Sequence, residues 1–165
     1  MGGDICHFPG MFRPSKASPL PDPIPASARL DSSFPTPCPC SVFDAVHPTH
    51  DKDQARQEPF YGVTRSDHSS HAGRDQAIKD IRKMQDFDAS PNVLIAIAHD
   101  PSLLQVLPIL NERPEEDINE WKVKGWKDKI RWGFLNELPR GGRRGRALLV
   151  DGLWRDGKVW SRRGL

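Results

Sequence analysis

Ten of the 16 prolines fall between residues 9 and 48, and this constrains the chain more than any other feature. Proline has no backbone N–H and a fixed φ, so a stretch this dense cannot form the interior of a helix or of a central strand. From His7 to about residue 70 no period of 3.6 or of 2 is sustained. Of 165 residues, roughly the last 95 are left to make regular structure. The run RPSKASPLPDPIPASARLDSSFPTPCPCSVF is predicted to be an extended, Pro- and Ser-rich excursion with no core of its own. Leu20, Ile24, Leu30, Phe34, Val42 and Phe43 are expected to anchor it across a globular surface, as a draped loop more than a free linker.

After the polar run VTRSDHSSHAGRD a helix is predicted to start at Asp75 or just before it. Ala77, Ile78, Ile81 and Met84 form its apolar face, Lys79, Asp80, Arg82 and Lys83 the other, and it stops before Pro91. NVLIAIAHD follows, and its six apolar residues, bounded by Asn92 and His99-Asp100, predict a strand buried on both faces. A helix followed by such a strand predicts layered α/β architecture. Pro101 and Ser102 open a short helix over Leu103, Leu104, Val106 and Leu107, which Pro108 disturbs. Trp121, Trp126, Trp132 and Phe134 recur at near-helical spacing, which favours packing over a binding surface. RALLVDGLW reads as a short strand ending at Asp151-Gly152. The expected organisation is one partial domain over 1–165, with a Pro/Ser-rich and polar loop at 8–70 and a helix–strand–helix core with a basic end at 71–165.

The formal net charge of +2 is unevenly spread, with eight Arg and Lys residues in 140–165 against Asp151 and Asp156. Such an end can meet nucleic acid. No aromatic-interleaved RNA motif or helix-turn-helix pattern accompanies it, so a solvated tail is expected and nucleic acid is not an expected partner. Cys6, Cys38 and Cys40 make an odd count, and Cys38-Pro39-Cys40 is too tight for an ordinary bridge and lacks the second pair of a zinc site. A reducing, cytoplasmic compartment is the expectation. No secretory h-region and no run of about 18 apolar residues is present, so no membrane partner is expected.

His99 and Asp100 stand where an apolar strand is predicted to end, the usual place for sites in open α/β sheets. Asp4 and His7 would follow a strand end too, if the residues ahead of Gly2 were apolar. Two such corners can bring carboxylate and imidazole together, a donor set that suits Zn, Mn or Fe(II), although a catalytic zinc needs at least three ligands.

GGDICHFPGMFRPS, taken with AIKDIRKMQDFDASPNVLIAIAHDPSLL and INEWKVKGWKDKIRWGFLNELP, resembles the C-terminal half of a fungal branch of the metallo-β-lactamase-fold hydrolases. The likeness extends to CPCSVF, HPTH and PFY in the loop and to LVDGLWRDGK near the end. It implies an αββα sandwich holding one or two ions of zinc or another divalent metal at the sheet edge. It implies that Asp4 is the carboxylate bridging two metals, that His99 is the last histidine ligand, and that His7 and Asp100 support the ligands or line the pocket. The implied chemistry is metal-dependent hydrolysis of an ester, lactone, thioester or similar bond in a small molecule.

This chain departs from that family in lacking its His-x-His-x-Asp-His run. HPTHD (His47, His50, Asp51) and HSSH (His68, His71) are the nearest substitutes, and solvated surface histidines are the plainer reading of both. The chain is accordingly expected to begin at the second half of the sandwich, truncated and inactive alone. The alternative expectation is a catalytically inactive fragment or interaction module.

Overall fold

The computed structural model describes residues 5–63, 73–109, 111–140 and 145, and the backbone of 154, 155, 158 and 159. Four α-helices are described: α1 (Lys52–Ala55), α2 (Arg74–Ala89), α3 (Pro101–Val106) and α4 (Trp126–Arg131). Short 3-10 helices lie at Pro9–Met11, Ala26–Ala28, Cys40–Val46, Ile118–Trp121 and Gly133–Glu137. The only strand ladder among the described residues is a two-residue hairpin, β1 (Trp154–Arg155) antiparallel to β2 (Lys158–Val159), pairing Trp154 with Val159 and Arg155 with Lys158. No helix among the described residues is long and apolar enough to cross a membrane.

The expected α/β sandwich is therefore not what the described residues form; they are helical and irregular. The predicted strand at 93–98 shows the reason. Its side chains do alternate: Ile95 and Ile97 pack with Cys6, Phe12 and the α2 face, while Leu94 packs with Val106, Trp126 and Ile130. An apolar run sandwiched in this way has the sequence of a buried strand, but a strand also needs a hydrogen-bonded neighbour. None pairs with it among the described residues. Instead the Lys127 ammonium donates to the Val93 carbonyl at 2.5 Å and Ile97 offers its carbonyl to the Asp100 N–H at 3.3 Å.

Helix α2 matches its sequence pattern. Ala77, Ile81 and Met84 are buried at helical spacing, and the helix ends where the Ser90 N–H turns back to Asp86 and Phe87 ahead of Pro91. Asp88 continues that buried stripe as a carboxylate, 2 % exposed. Its two oxygens accept from Arg13 Nη2 at 2.6 Å and Nε at 3.1 Å. Arg13 also donates to the Arg131 carbonyl at 3.1 Å, and Arg131 donates to the Asp88 carbonyl at 2.6 Å. One charged knot thus ties the N-terminal segment to the end of α2 and to α4. Burial opposes ionisation of Asp88, but the Arg13 guanidinium, seconded by Arg131 and Lys127, outweighs it and holds the carboxyl below its usual value.

The Pro-rich segment is part of the core and not merely draped over it. Leu20, Ile24, Ala28, Phe34, Cys38 and Phe43 are buried with Phe60, Trp132, Phe134, Leu135 and Leu138 in one cluster, and Leu30 and Val42 pack against it. Rings join the two halves: Phe34 to Phe43 at 5.4 Å, Phe43 to Phe60 at 6.2 Å and Phe60 to Phe134 at 6.0 Å. Single cross-links replace a sheet ladder, as proline demands. Leu20 N–H donates to Arg56 O and Ile24 N–H to Cys38 O, each at 2.8 Å. The Asn136 amide accepts from Asp31 N–H at 2.9 Å and donates to Arg29 O at 3.2 Å. Trp126, Trp132 and Phe134 are core, as their spacing indicated. The RALLV part of the predicted terminal strand, apart from the Trp154–Arg155 backbone beyond it, lies outside the described residues.

Candidate functional site

His7 and His99, 92 positions apart in sequence, come together with ring centroids 5.2 Å apart and planes inclined at 37°. Both are half-buried. Each is held by the element that follows it. On the first side, Phe8 leads into the 3-10 helix Pro9–Met11 and its ring meets Tyr61 edge-on at 5.4 Å and Phe134 at 5.7 Å. Gly10 permits this packing, since a Cβ there would lie 2.6 Å from the Phe8 ring.

On the second side, Asp100 is the N-cap of α3. Its Oδ1 accepts from Ser102 N–H at 3.0 Å and from Ser102 Oγ at 2.5 Å. Ser102 Oγ also reaches the Ile130 carbonyl at 3.4 Å, and a Cβ on Gly133 would lie 2.7 Å from Ser102 Cβ. The backbone just after His99 is thereby fixed against α4 and the Gly133–Glu137 helix. Sequence reasoning placed Asp100 at the site and Ser102 at the start of α3 but did not join them; the Asp-Pro-Ser order, an N-cap acceptor with proline at the first helical position, was the available signal.

Cys6, next to His7, is fully buried in the α2 cluster, and burial pushes its thiol up to about 11, with the Asp100 carboxylate adding to the rise. Its buried thiol packs as a small apolar group in that cluster. Asp4, the second predicted ligand, lies outside the described residues, as do His68 and His71. The other loop motif is put to structural use. His47 is buried, accepting from Thr49 N–H on Nδ1 at 3.0 Å and bonding Glu58 O through Nε2 at 3.0 Å, with Phe60 edge-on at 4.6 Å. His47 is thus not the solvated histidine expected. Asp51 caps α1 through Gln54 N–H at 2.9 Å, and His50 is exposed.

Among the described residues no group of three or more His, Cys, Asp or Glu side chains is placed to hold a metal ion. What they supply is a pair of imidazoles. A pair is short of the three protein ligands that even an open zinc site needs. An open cleft of about 640 Å³, lined by Ser15, Lys16, Glu58, Tyr61 and Arg82 among others, does not include His7, His99 or Asp100.

No family model and no solved structure matches the chain. It is 35 % identical over 138 residues to a protein named metallo-hydrolase mfmC from Annulohypoxylon moriforme, which covers 84 % of this chain and 32 % of that protein. It is 33 % identical over 139 residues to gamma-lactamase FDB1 from Fusarium pseudograminearum, covering 84 % of this chain and 31 % of that one. The chain is similar to these two fungal proteins over most of its own length. The resemblance drawn from its motifs is thereby borne out, and the chain spans about a third of the length of the curated relatives it matches. A protein named cytochrome P450 monooxygenase mpaDE from Penicillium roqueforti is 31 % identical over 144 residues, with 13 % of its length covered.

Proposed function

We propose that this chain is part of a metal-dependent hydrolase of the metallo-β-lactamase superfamily, acting on an ester, lactone, lactam or thioester bond of a small molecule. Its similarity to proteins named metallo-hydrolase and gamma-lactamase carries the reading. His99 and Asp4 are its proposed ligands for zinc or another divalent ion, which would supply Lewis-acid polarisation of the acyl oxygen and an activated water. Asp100 acts through structure: by capping α3 it fixes the backbone that carries His99. The chain's own contribution to hydrolysis is to orient that imidazole beside a half-buried second one.

A second reading, a non-catalytic interaction module, is favoured by one observation: the described residues bring together two imidazoles but no third ligand. Metal content separates the two. Elemental analysis of the purified chain should find about one to two zinc or similar ions, and a chelator should lower its melting temperature. A chain that retains no divalent metal and melts identically with and without chelator would remove the hydrolase reading for this part of the protein.

A further inference from the structure

We propose that the open cleft between α2 and the segments 11–17 and 57–63 is a binding site for a small apolar molecule carrying one carboxylate, the class of product that hydrolysis of an ester, lactone or lactam releases. Its link to product rests on the hydrolase reading; its own chemistry does not. The volume of about 640 Å³ falls among small-molecule pockets, which run from about 300 to 1,000 Å³. The walls are tied to one another. Arg13 joins the first segment to α2 through the Asp88 oxygens at 2.6 and 3.1 Å. The Tyr61 N–H donates to the Gly10 carbonyl at 3.0 Å, which fastens the third wall to the first. A cleft braced in this way is formed before a ligand arrives, so little ordering is lost on binding.

Its lining divides into an apolar floor and a cationic rim. Ile78 and Ile81, one turn apart on α2, give the floor with Met11 and Val63. Arg82 follows one turn after Ile78 on the same side of that helix. Lys16 stands at the tip of a tight turn in which Ser15 and Ser18 exchange backbone hydrogen bonds, both at 3.1 Å. Both cations are exposed, and neither has a hydrogen-bond or ion-pair partner among the described residues. Tyr61 adds a phenol, and burial raises its pKa, so it stays a protonated donor. Two carboxylates line the cleft as well. Both Glu58 oxygens are already taken, by Thr49 Oγ1 at 2.7 Å and Gln54 Nε2 at 2.6 Å, and Lys16 contributes least to keeping that group ionised. Asp86, exposed one turn beyond Arg82, opposes an anion. The unmet capacity on the rim is thus mainly for an acceptor, and an apolar body bearing one carboxylate meets floor and rim together. Inorganic phosphate would meet the rim and leave the floor wet.

The test is isothermal titration of the purified chain with naphthylacetate, with naphthylacetamide as its neutral isostere, and with inorganic phosphate. Naphthylacetate is expected to bind about tenfold more tightly than the amide. Lys16→Gln and Arg82→Gln should each weaken it about two- to tenfold, whereas Asp86→Asn should tighten it; all three positions are exposed, so the fold tolerates the changes. In methyl NMR of the wild type, which needs no variant, the Met11, Ile78 and Ile81 signals should move as naphthylacetate is added. An amide or phosphate that binds as well as the acid, an acid that leaves those methyls in place, or a chain that binds none of the three overturns the assignment. Metal content decides the hydrolase reading separately: a chain that binds the acid but takes up no metal keeps the carboxylate site and loses only its link to product.

Discussion

Replacing Asp88 with Ala removes the anion at the centre of the charged knot and leaves Arg13 buried at 3 % exposure without its carboxylate. The size of the effect follows from that burial. Breaking a buried pair by deleting one partner costs about 3–5 kcal/mol, because an uncompensated charge remains. Here the stranded charges are three, since Arg131 and Lys127 lie within the same electrostatic reach. About 4 kcal/mol corresponds to a fall of roughly 8–16 °C in melting temperature for a chain of this size. Asp80, whose contact with Lys83 at 3.3 Å is open to solvent on both sides, supplies the contrast: Asp80→Ala should cost far less than Asp88→Ala. The double variant Arg13→Met/Asp88→Leu should be more stable than either single variant, because it removes the pair and not half of it. Urea unfolding followed by tryptophan fluorescence measures each of them against the wild type. The pH dependence must agree in sign. Asp88 binds its proton less readily folded than unfolded, so its contribution is complete above the unfolded carboxylate value and disappears as pH falls through the lower folded one. Asp88→Ala should therefore flatten the acid limb of the stability curve. A loss no larger than that of Asp80→Ala would refute the claim that this pair holds the N-terminal segment to α2 and α4.

Two further outcomes are expected. Lys127 is buried against the Ser90 and Val93 carbonyls, and burial first, then Arg131, lowers its ammonium to about 8; because the unfolded chain then holds more protons between that value and the ordinary lysine one, wild-type stability should rise with pH across that window relative to Lys127→Met, and parallel curves for the two would sink the assignment. Gly133→Ala should cost about 1–3 kcal/mol by forcing a Cβ within 2.7 Å of Ser102 Cβ, and a denaturation midpoint unchanged from wild type would show that α3 yields without cost.

Some of this protein was legible residue by residue. Period and punctuation determine α2, with Ala77, Ile81 and Met84 on one face and a stop before Pro91, and the Asp100-Pro101-Ser102 order determines where α3 begins. These are local decisions, fixed by φ preference, capping and side-chain spacing within one or two turns. The motifs also carried the kinship with metallo-hydrolases, because similarity needs order and spacing and no folded contacts.

The rest was decided in three dimensions. The apolar run at 93–98 has a strand's alternation, yet what pairs with its backbone depends on what lies beside it, and there the neighbours are side chains and helices. The prolines excluded α-helix and extended strand from 9–48 but said nothing about burial; Phe34 and Phe43 became core because Phe134 and Trp132, about a hundred residues later, offered apolar surface to cover. Asp88 went unremarked in the sequence, and only the arrival of Arg13 from 75 positions away explains why a carboxylate is tolerated on the buried stripe. The meeting of His7 with His99 is of the same kind. Composition and spacing name the groups able to do chemistry, but long-range packing chooses which of them share a corner, since the free energy of that approach comes from side chains elsewhere in the core.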